Sequence, residues 1–164
     1  MLEETGVPTK EQIDACYPPE WARKKGPVAV FECFQRIPCD PCCWSCAQGA
    51  VREFADINDL PVIDYERCTG CGICVAKCPG LAVFVIDENY DDEYGLVKLP
   101  HEFLPLPEAG DRVEALDRTG AAVGAARVIR VTGRQTGETA VVWIVVGKPL
   151  LGDVRAIRVG GERS

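Results

Sequence analysis

The sequence predicts an α+β fold in which a compact cysteine-rich module is followed by a small all-β barrel domain. Two observations lead to this prediction. All ten cysteines fall before residue 79, most of them at tight spacings, so this part of the chain forms a unit of its own. Beyond residue 111 the pattern changes to short apolar and β-branched runs separated by glycine-containing breaks, which is typical of strands in a small barrel.

The composition changes divide the chain into four segments. They are an N-terminal extension with a short helix (1–26), the cysteine-rich module (27–98), a proline-rich connector (99–110) and the small β-barrel domain (111–164). In the extension, Thr9 and Gln12 have the spacing of a capping box, which predicts a helix ending near Ala15. The module is expected to begin with a strand over 28–31, just before Cys33.

The structure of the last two segments is predicted from the positions of their prolines, glycines and apolar runs. Residues 99–107 are rich in proline and have no regular period, so a linker or a pad is expected there rather than a core element. Beyond them, the apolar runs predict four strands. These cover residues 112–116, 126–131, 140–146 and 154–159.

Charge and hydrophobicity exclude several classes of protein. The formal charge of −7 has the wrong sign for holding phosphate backbones, so no nucleic-acid partner is expected. The acidic start at Met1–Gly6 lacks the features of a signal peptide. The longest apolar run, Ala140–Gly147, is far shorter than the ~20 residues of a membrane-spanning helix. A cytoplasmic location is therefore expected, where clustered cysteines are more often metal ligands or catalytic groups than disulfides.

The second cysteine set has a spacing typical of [4Fe–4S] ligands. Cys68, Cys71 and Cys74 are separated by two residues each, and Cys78 follows after three more and precedes Pro79. In bacterial ferredoxins with this run, the first three thiolates hold one cluster and the fourth ligates the other. The alternative is a structural zinc site, although zinc sites usually pair two Cys-x2–4-Cys units across a longer gap.

The first cysteine set has the same order with a longer first loop. Cys46 and Cys42 are separated by three residues and Cys42 and Cys39 by two, but five residues separate Cys39 from Cys33 where the regular motif has two. The segments that follow Cys46 and Cys78 both carry Ala and Val four and five residues later. The module is therefore interpreted as an internal duplication of about thirty residues.

The crossed pattern assigns four cysteines to each of two [4Fe–4S] clusters. Cluster 1 takes Cys33, Cys39, Cys42 and Cys78, and cluster 2 takes Cys46, Cys68, Cys71 and Cys74. Two alternatives stay open at cluster 1: Cys43 could replace Cys42, and Cys33 could be a bystander, leaving a [3Fe–4S] site. Apart from that, Cys16 and Cys43 are expected to be small buried apolar residues.

Groups for bond-making chemistry are scarce in the sequence. The single histidine, His101, is expected to be a surface or packing residue, so no Ser-His-Asp arrangement can form. Trp44, inside the first cysteine loop, is expected to be a hydrophobic lid. These residues predict a protein that passes electrons and has no catalytic residues of its own.

Together these motifs resemble a known type of subunit. The chain is similar to the dicluster ferredoxin-type subunit of multi-subunit, FAD-dependent dehydrogenases acting on amino acids and amines, of the proline, hydroxyproline and sarcosine type. The resemblance rests on Glu32–Cys39, Cys68–Cys74 and Cys78–Ala82, within a general ferredoxin match over 28–86, and extends through His101–Pro107 and on to Val113.

The resemblance implies a function and a set of partners. FAD-containing subunits would oxidise a carbon–nitrogen bond, and this chain would pass their electrons one at a time to a redox acceptor within a hetero-oligomer. The flavin would lie in the partner subunits and not in this chain. The alternatives are a freely diffusing dicluster ferredoxin that serves several partners and a structural zinc-binding module.

Overall fold

The computed structural model describes residues 2–133 and 138–160. Five short helices precede or separate the strands: α1 (Leu2–Thr5), α2 (Lys10–Cys16), α3 (Glu20–Lys25), α4 (Pro41–Ser45) and α5 (Ile73–Lys77). The strands are β1 (Val28–Phe31), β2 (Val83–Asp87), β3 (Tyr94–His101), β4 (Arg112–Leu116), β5 (Ala122–Thr132), β6 (Ala140–Gly147) and β7 (Ala156–Val159). A 3₁₀ turn over Lys148–Leu150 follows β6. No helix in these two ranges is long and apolar enough to cross a membrane.

The strands form one antiparallel sheet in the order β1-β2-β3-β6-β5-β4-β7. Its longest pairing joins β3 to β6, from Tyr94 opposite Gly147 to His101 opposite Ala140. This pairing connects the strands of the cysteine-rich module to those of the C-terminal segment. The α+β class is confirmed, but a separate barrel is not, because β4 to β7 extend the sheet that β1 and β2 begin.

The first three residues of the expected connector, 99–101, belong to a strand. Leu99, Pro100 and His101 complete β3 instead of leaving the sheet, and Leu99 and His101 are buried. Strand β2 pairs with β3 only as far as Lys98, and within residues 2–133 and 138–160 no strand is hydrogen-bonded to that edge of β3 beyond this point. Proline lacks a backbone donor and is tolerated at such an edge, which explains how Pro100 fits into the strand.

The predicted elements otherwise lie close to the observed ones. The capping box at Thr9 and Gln12 forms, and the helix that it opens runs one residue further than expected, to Cys16. The strands predicted over 28–31 and 112–116 have those bounds in the structure. The remaining three predicted strands have their counterparts in β5, which is longer at its start, in β6, and in β7, which begins two residues late.

Two apolar cores lie on opposite faces of the sheet near β1. Val28 and Val30 point into the larger core, which the C-terminal strands share, whereas Ala29 and Phe31 point into a smaller core. Successive side chains of a strand alternate between faces, so β1 is buried on both sides. Cysteines of both sets pack against the smaller core. The sheet therefore provides the apolar surface against which the cysteines pack.

A buried ion cluster ties the end of β1 to the C-terminal strands. The Glu32 carboxylate accepts from Arg155 Nε at 2.7 Å and from Arg118 Nε at 3.0 Å. The exposed fractions of these side chains are 8% for Glu32, 10% for Arg118 and 4% for Arg155. Arg118 also donates to the Gly152 carbonyl at 2.8 Å, which fixes the loop before β7.

Candidate iron–sulfur site

The structure brings the cysteines together in two groups of four. One pocket is lined by Cys46, Cys68, Cys71 and Cys74. A separate pocket is lined by Cys33, Cys39, Cys42 and Cys78. Each group contains three cysteines of one set and one of the other, which is the grouping that the spacing predicts. That these thiols bind iron stays a prediction.

The crossing follows from the two short helices that carry the cysteines. Cys42 lies on α4 and Cys46 is its C-cap, while Cys74 lies on α5 and Cys78 is its C-cap. In each pair the fourth cysteine follows the third by one turn of chain, and the two thiols lie in different pockets. Because α4 and α5 pack together, the end of each helix reaches the pocket of the other set.

The thiols within each group interact electrostatically. Burial, together with the nearby thiols of Cys68, Cys71 and Cys46, raises the pKa of Cys74 to about 12. Burial, together with the nearby thiol of Cys78, raises the pKa of Cys42 to about 12. Four thiolates in one pocket would repel one another, so a positively charged group bound between them would stabilise them.

Backbone amides point at several of the sulfur atoms. The N–H of Ala50 donates to Cys46 Sγ at 3.3 Å, and the N–H of Ala82 donates to Cys78 Sγ at 3.4 Å. These residues occupy equivalent positions in the two repeats. Burial alone would raise the pKa of Cys46, but the amides of residues 48–51 outweigh it and lower that pKa. The repeat therefore places one equivalent amide donor at each of these two sulfur atoms.

The donor set of each pocket fits a [4Fe–4S] cluster. Four cysteine thiolates are the usual ligands of such a cluster, and N–H donors to sulfur are among the features that tune it. Among residues 2–133 and 138–160, no three Cys, His, Asp or Glu side chains are grouped as the ligands of one metal ion. Cys71 is exposed, and the other seven thiols of the two pockets are partly buried.

The two leftover cysteines lie outside both groups. Cys43 donates to the Val51 carbonyl at 3.8 Å and packs against the smaller core, and it is absent from the lining of either pocket. Cys33 does line the pocket of Cys39 and Cys78. The geometry thus favours Cys33 as a ligand of cluster 1, and Cys42 rather than Cys43. Cys16 lies on α2, where its thiol donates to a carbonyl of the same helix at 3.3 Å.

We expect Cys43→Ala and Cys16→Ala to keep the full iron content, because neither side chain lines a pocket. Iron and acid-labile sulfide per chain, measured on anaerobically purified protein, check this. A loss of iron in the Cys43 variant would reassign cluster 1, and a loss in the Cys16 variant would reveal a ligand outside both pockets.

Trp44 does not form the expected lid. Its side chain is 74% exposed, and its indole N–H donates to the Asp40 carboxylate at 2.7 Å. The smaller core beneath the cysteines is formed instead by residues such as Phe31, Val75 and Val83. The β-branched and aromatic composition of β1 and β2 was the available signal for this core.

The loop that carries Cys68, Cys71 and Cys74 presses against the start of β1. Gly70 has φ +64°, and a Cβ there would lie 2.5 Å from the backbone carbon and oxygen of Pro27. No side chain can be added without moving the backbone. The sequence alone does not predict this contact with Pro27, since it is made only in the folded chain.

We expect Gly70→Ala to lose the cluster of this loop. The left-handed conformation alone costs a residue with a Cβ about 1 kcal/mol, and the clash with Pro27 adds to that. Gly80→Ala is the matched control, because its φ is ordinary and a Cβ there meets nothing within 4 Å. The iron content should fall by about half in the first variant and stay unchanged in the second. Equal iron in both variants would contradict the expectation.

Comparison with known proteins places the second cysteine set in a described family. Residues 61–84, which include Cys68 to Cys78, match the model of the 4Fe-4S binding domain. The chain carries a ferredoxin-type [4Fe–4S]-binding segment. The match covers one cysteine set, and the pairing of this segment with the first set is seen in the structure rather than in the family model.

Several relatives of this ferredoxin-type segment are named as subunits of enzymes or enzyme complexes. The chain is 38% identical over 53 residues to the pyruvate synthase subunit PorD of Methanocaldococcus jannaschii, which covers 32% of this chain and 59% of that protein. It is 47% identical over 49 residues to a subunit of the ion-translocating oxidoreductase complex of Methanosarcina acetivorans, covering 29% of this chain and 17% of that protein. It is 39% identical over 51 residues to the thiosulfate reductase electron transfer subunit PhsB of Salmonella typhi, covering 28% of this chain and 26% of that protein.

The ferredoxin-type likeness is limited to part of each protein. The chain covers less than two thirds of the length of each of these relatives. No solved structure matches it.

Proposed function

We propose that this chain is an electron-transfer subunit that holds two [4Fe–4S] clusters and passes electrons from a flavoprotein dehydrogenase to an acceptor. The observation that carries the proposal is the grouping of eight cysteines into two pockets, each completed by a cysteine of the other set. The ferredoxin-type match over residues 61–84 supports the identity of the bound group.

A bound [4Fe–4S] cluster would accept and release one electron at a time. The chain's own residues would hold it, orient it and limit its contact with water. Amide donors such as Ala50 and Ala82 lie at Cys46 and Cys78, where they favour negative charge on sulfur. The sheet closes the apolar side of both pockets. Cys71 is exposed, so its pocket has a rim at the protein surface where a redox partner could approach.

The proposal also names the electron donor, which is a flavin-containing dehydrogenase subunit. It is supported by the resemblance of residues 101–113 to the FAD-dependent amine dehydrogenase subunits. Phe103 and Leu104 in this stretch project into solvent, which suits contact with another protein. The relatives are also named as subunits of larger enzymes. We place the assembly in the cytoplasm, where thiols stay reduced.

Anaerobic, low-salt native purification tests the proposal. Iron, sulfide and flavin are counted in every fraction that contains the chain. About eight irons per chain, with stoichiometric flavin and larger co-purifying subunits, is the expected result. The same iron without flavin or partners would favour the freely diffusing ferredoxin. A colourless protein that contains zinc and no sulfide would overturn the iron–sulfur assignment.

A further inference from the structure

Lys98 is a buried cation beside the pocket of Cys46, Cys68, Cys71 and Cys74. It lies on β3, and only 6% of its surface is exposed. Its Nζ donates to the Gly70 carbonyl at 2.8 Å, and Gly70 lies between Cys68 and Cys71. Lysine is almost never buried to this extent unless it is paired. No carboxylate among residues 2–133 and 138–160 lies within ion-pair distance of this amine.

The surroundings of Lys98 hold its amine in place. Nζ lies 4.0 Å from the centre of the Trp143 ring, and the Arg130 guanidinium lies 4.9 Å from the centre of the same ring. A Cβ on Gly72 would lie 3.3 Å from Lys98 Cδ, so the aliphatic stem packs against the cysteine loop. The side chain thus touches this loop at both Gly70 and Gly72.

Neighbouring groups partly offset the effect of burial on the pKa of Lys98, and the largest contribution comes from the cysteine pocket. Burial lowers the pKa of Lys98, while the Cys71 thiol contributes most to raising it and Asp87 follows. A buried positive charge is costly unless negative charge lies nearby. The cysteines of the adjacent pocket would supply such charge as thiolates when they hold a cluster, and the lysine and the cysteine loop would then stabilise each other.

A fixed positive charge near a redox centre favours its more negative, reduced state. The effect is larger in a poorly hydrated site than in water, because the interaction is less screened there. The hydrogen bond also fixes the plane of the Gly70–Cys71 peptide. In a trans peptide the carbonyl and the following N–H point in opposite directions, so Lys98 sets the direction of the Cys71 amide.

We propose that Lys98 is a positioning residue that raises the reduction potential of the cluster held by Cys46, Cys68, Cys71 and Cys74. This inference rests on the proposed function, since it requires that pocket to hold a cluster. It assigns a role to a buried lysine of β3 that the cysteine motif itself does not contain.

Redox titration of the iron-loaded full chain, followed by electron paramagnetic resonance, tests this role. Lys98→Gln removes the charge but keeps a donor, Lys98→Met removes both, and Lys98→Arg keeps the charge. We expect one of the two cluster potentials to fall in the Gln and Met variants while the other stays fixed, and the Arg variant to stay close to wild type. Lys10→Met is the matched control, because Lys10 is exposed on α2 and its loss should move neither potential.

The possible failures are distinguishable. Wild-type protein without iron–sulfur clusters would overturn the proposed function and this inference with it. Intact clusters with unmoved potentials in both neutral variants would overturn the inference alone. So would an equal shift in Lys10→Met, since the effect would then be one of overall charge. Loss of the cluster in both neutral variants would show that Lys98 holds the loop rather than sets the potential.

Discussion

The double variant Cys46→Ala with Cys74→Ala is expected to keep one cluster, whereas Cys78→Ala with Cys74→Ala is expected to keep none. Cys46 and Cys74 line the same pocket, so removing both damages only that site. Cys78 and Cys74 line different pockets, although they lie on one helix and its cap. About four irons per chain should remain in the first variant and close to zero in the second.

Iron and sulfide counts, together with the electron paramagnetic resonance spectrum of the reduced protein, check this pair. Both variants lack two thiols, so a general loss of stability would affect them alike. An uncrossed arrangement, with each set filling its own pocket, predicts the opposite order. The Cys74→Ala single variant should lose one cluster and spare the other. If it left both clusters unchanged, the ligand assignment of the second set would be wrong.

Glu32→Ala is expected to lower the free energy of unfolding by about 3–5 kcal/mol, the usual cost of leaving a buried charge without its partner. Its carboxylate is shared by Arg118 and Arg155, and all three side chains are at most 10% exposed. Without Glu32, two buried guanidinium groups would face each other. One Arg155 nitrogen, Nη2, already has no hydrogen-bond partner among residues 2–133 and 138–160, so losing Glu32 would leave this guanidinium still less satisfied.

The control for Glu32 is Glu114→Ala. Glu114 pairs with Arg158, but both side chains are more than half exposed, so its loss should cost less than about 1 kcal/mol. Anaerobic denaturant titration of the iron-loaded variants gives both values. Similar values for the two variants would mean that the buried cluster contributes no more than a surface pair. Iron content measured beside each titration shows whether the substitution also costs iron at the pocket of the neighbouring Cys33.

The grouping of the cysteines could be predicted from the sequence because their spacing follows that of dicluster ferredoxins, in which the fourth cysteine of each set ligates the other cluster. One turn of chain separates Cys42 from Cys46 and Cys74 from Cys78, and the repeat makes both turns alike. The contacts around the pockets could not be predicted in this way. Lys98 lies 28 residues from Gly70 along the chain, and no local pattern connects them.

The separate barrel is the part of the expected fold that the structure does not confirm. Apolar periodicity identifies strands but does not say which strands pair, and the C-terminal runs suited a closed barrel as well as an open sheet. Proline-rich composition also hid the end of β3, where Pro100 lies opposite Val141. The strand continues there because no strand in the described part of the chain is hydrogen-bonded to its other edge at Pro100, so the missing N–H leaves no ladder bond unmade.

The pairing of β3 with β6 has a consequence for any attempt to isolate the iron-binding half. A fragment that stops at residue 98 would lose the end of β3 and the whole of β6. The remaining apolar strand would present a row of unpaired backbone groups to other molecules, which is the usual starting point for aggregation. We therefore expect the C-terminal strands to keep the edge of β3 covered, so that the cysteine-rich half does not aggregate through it.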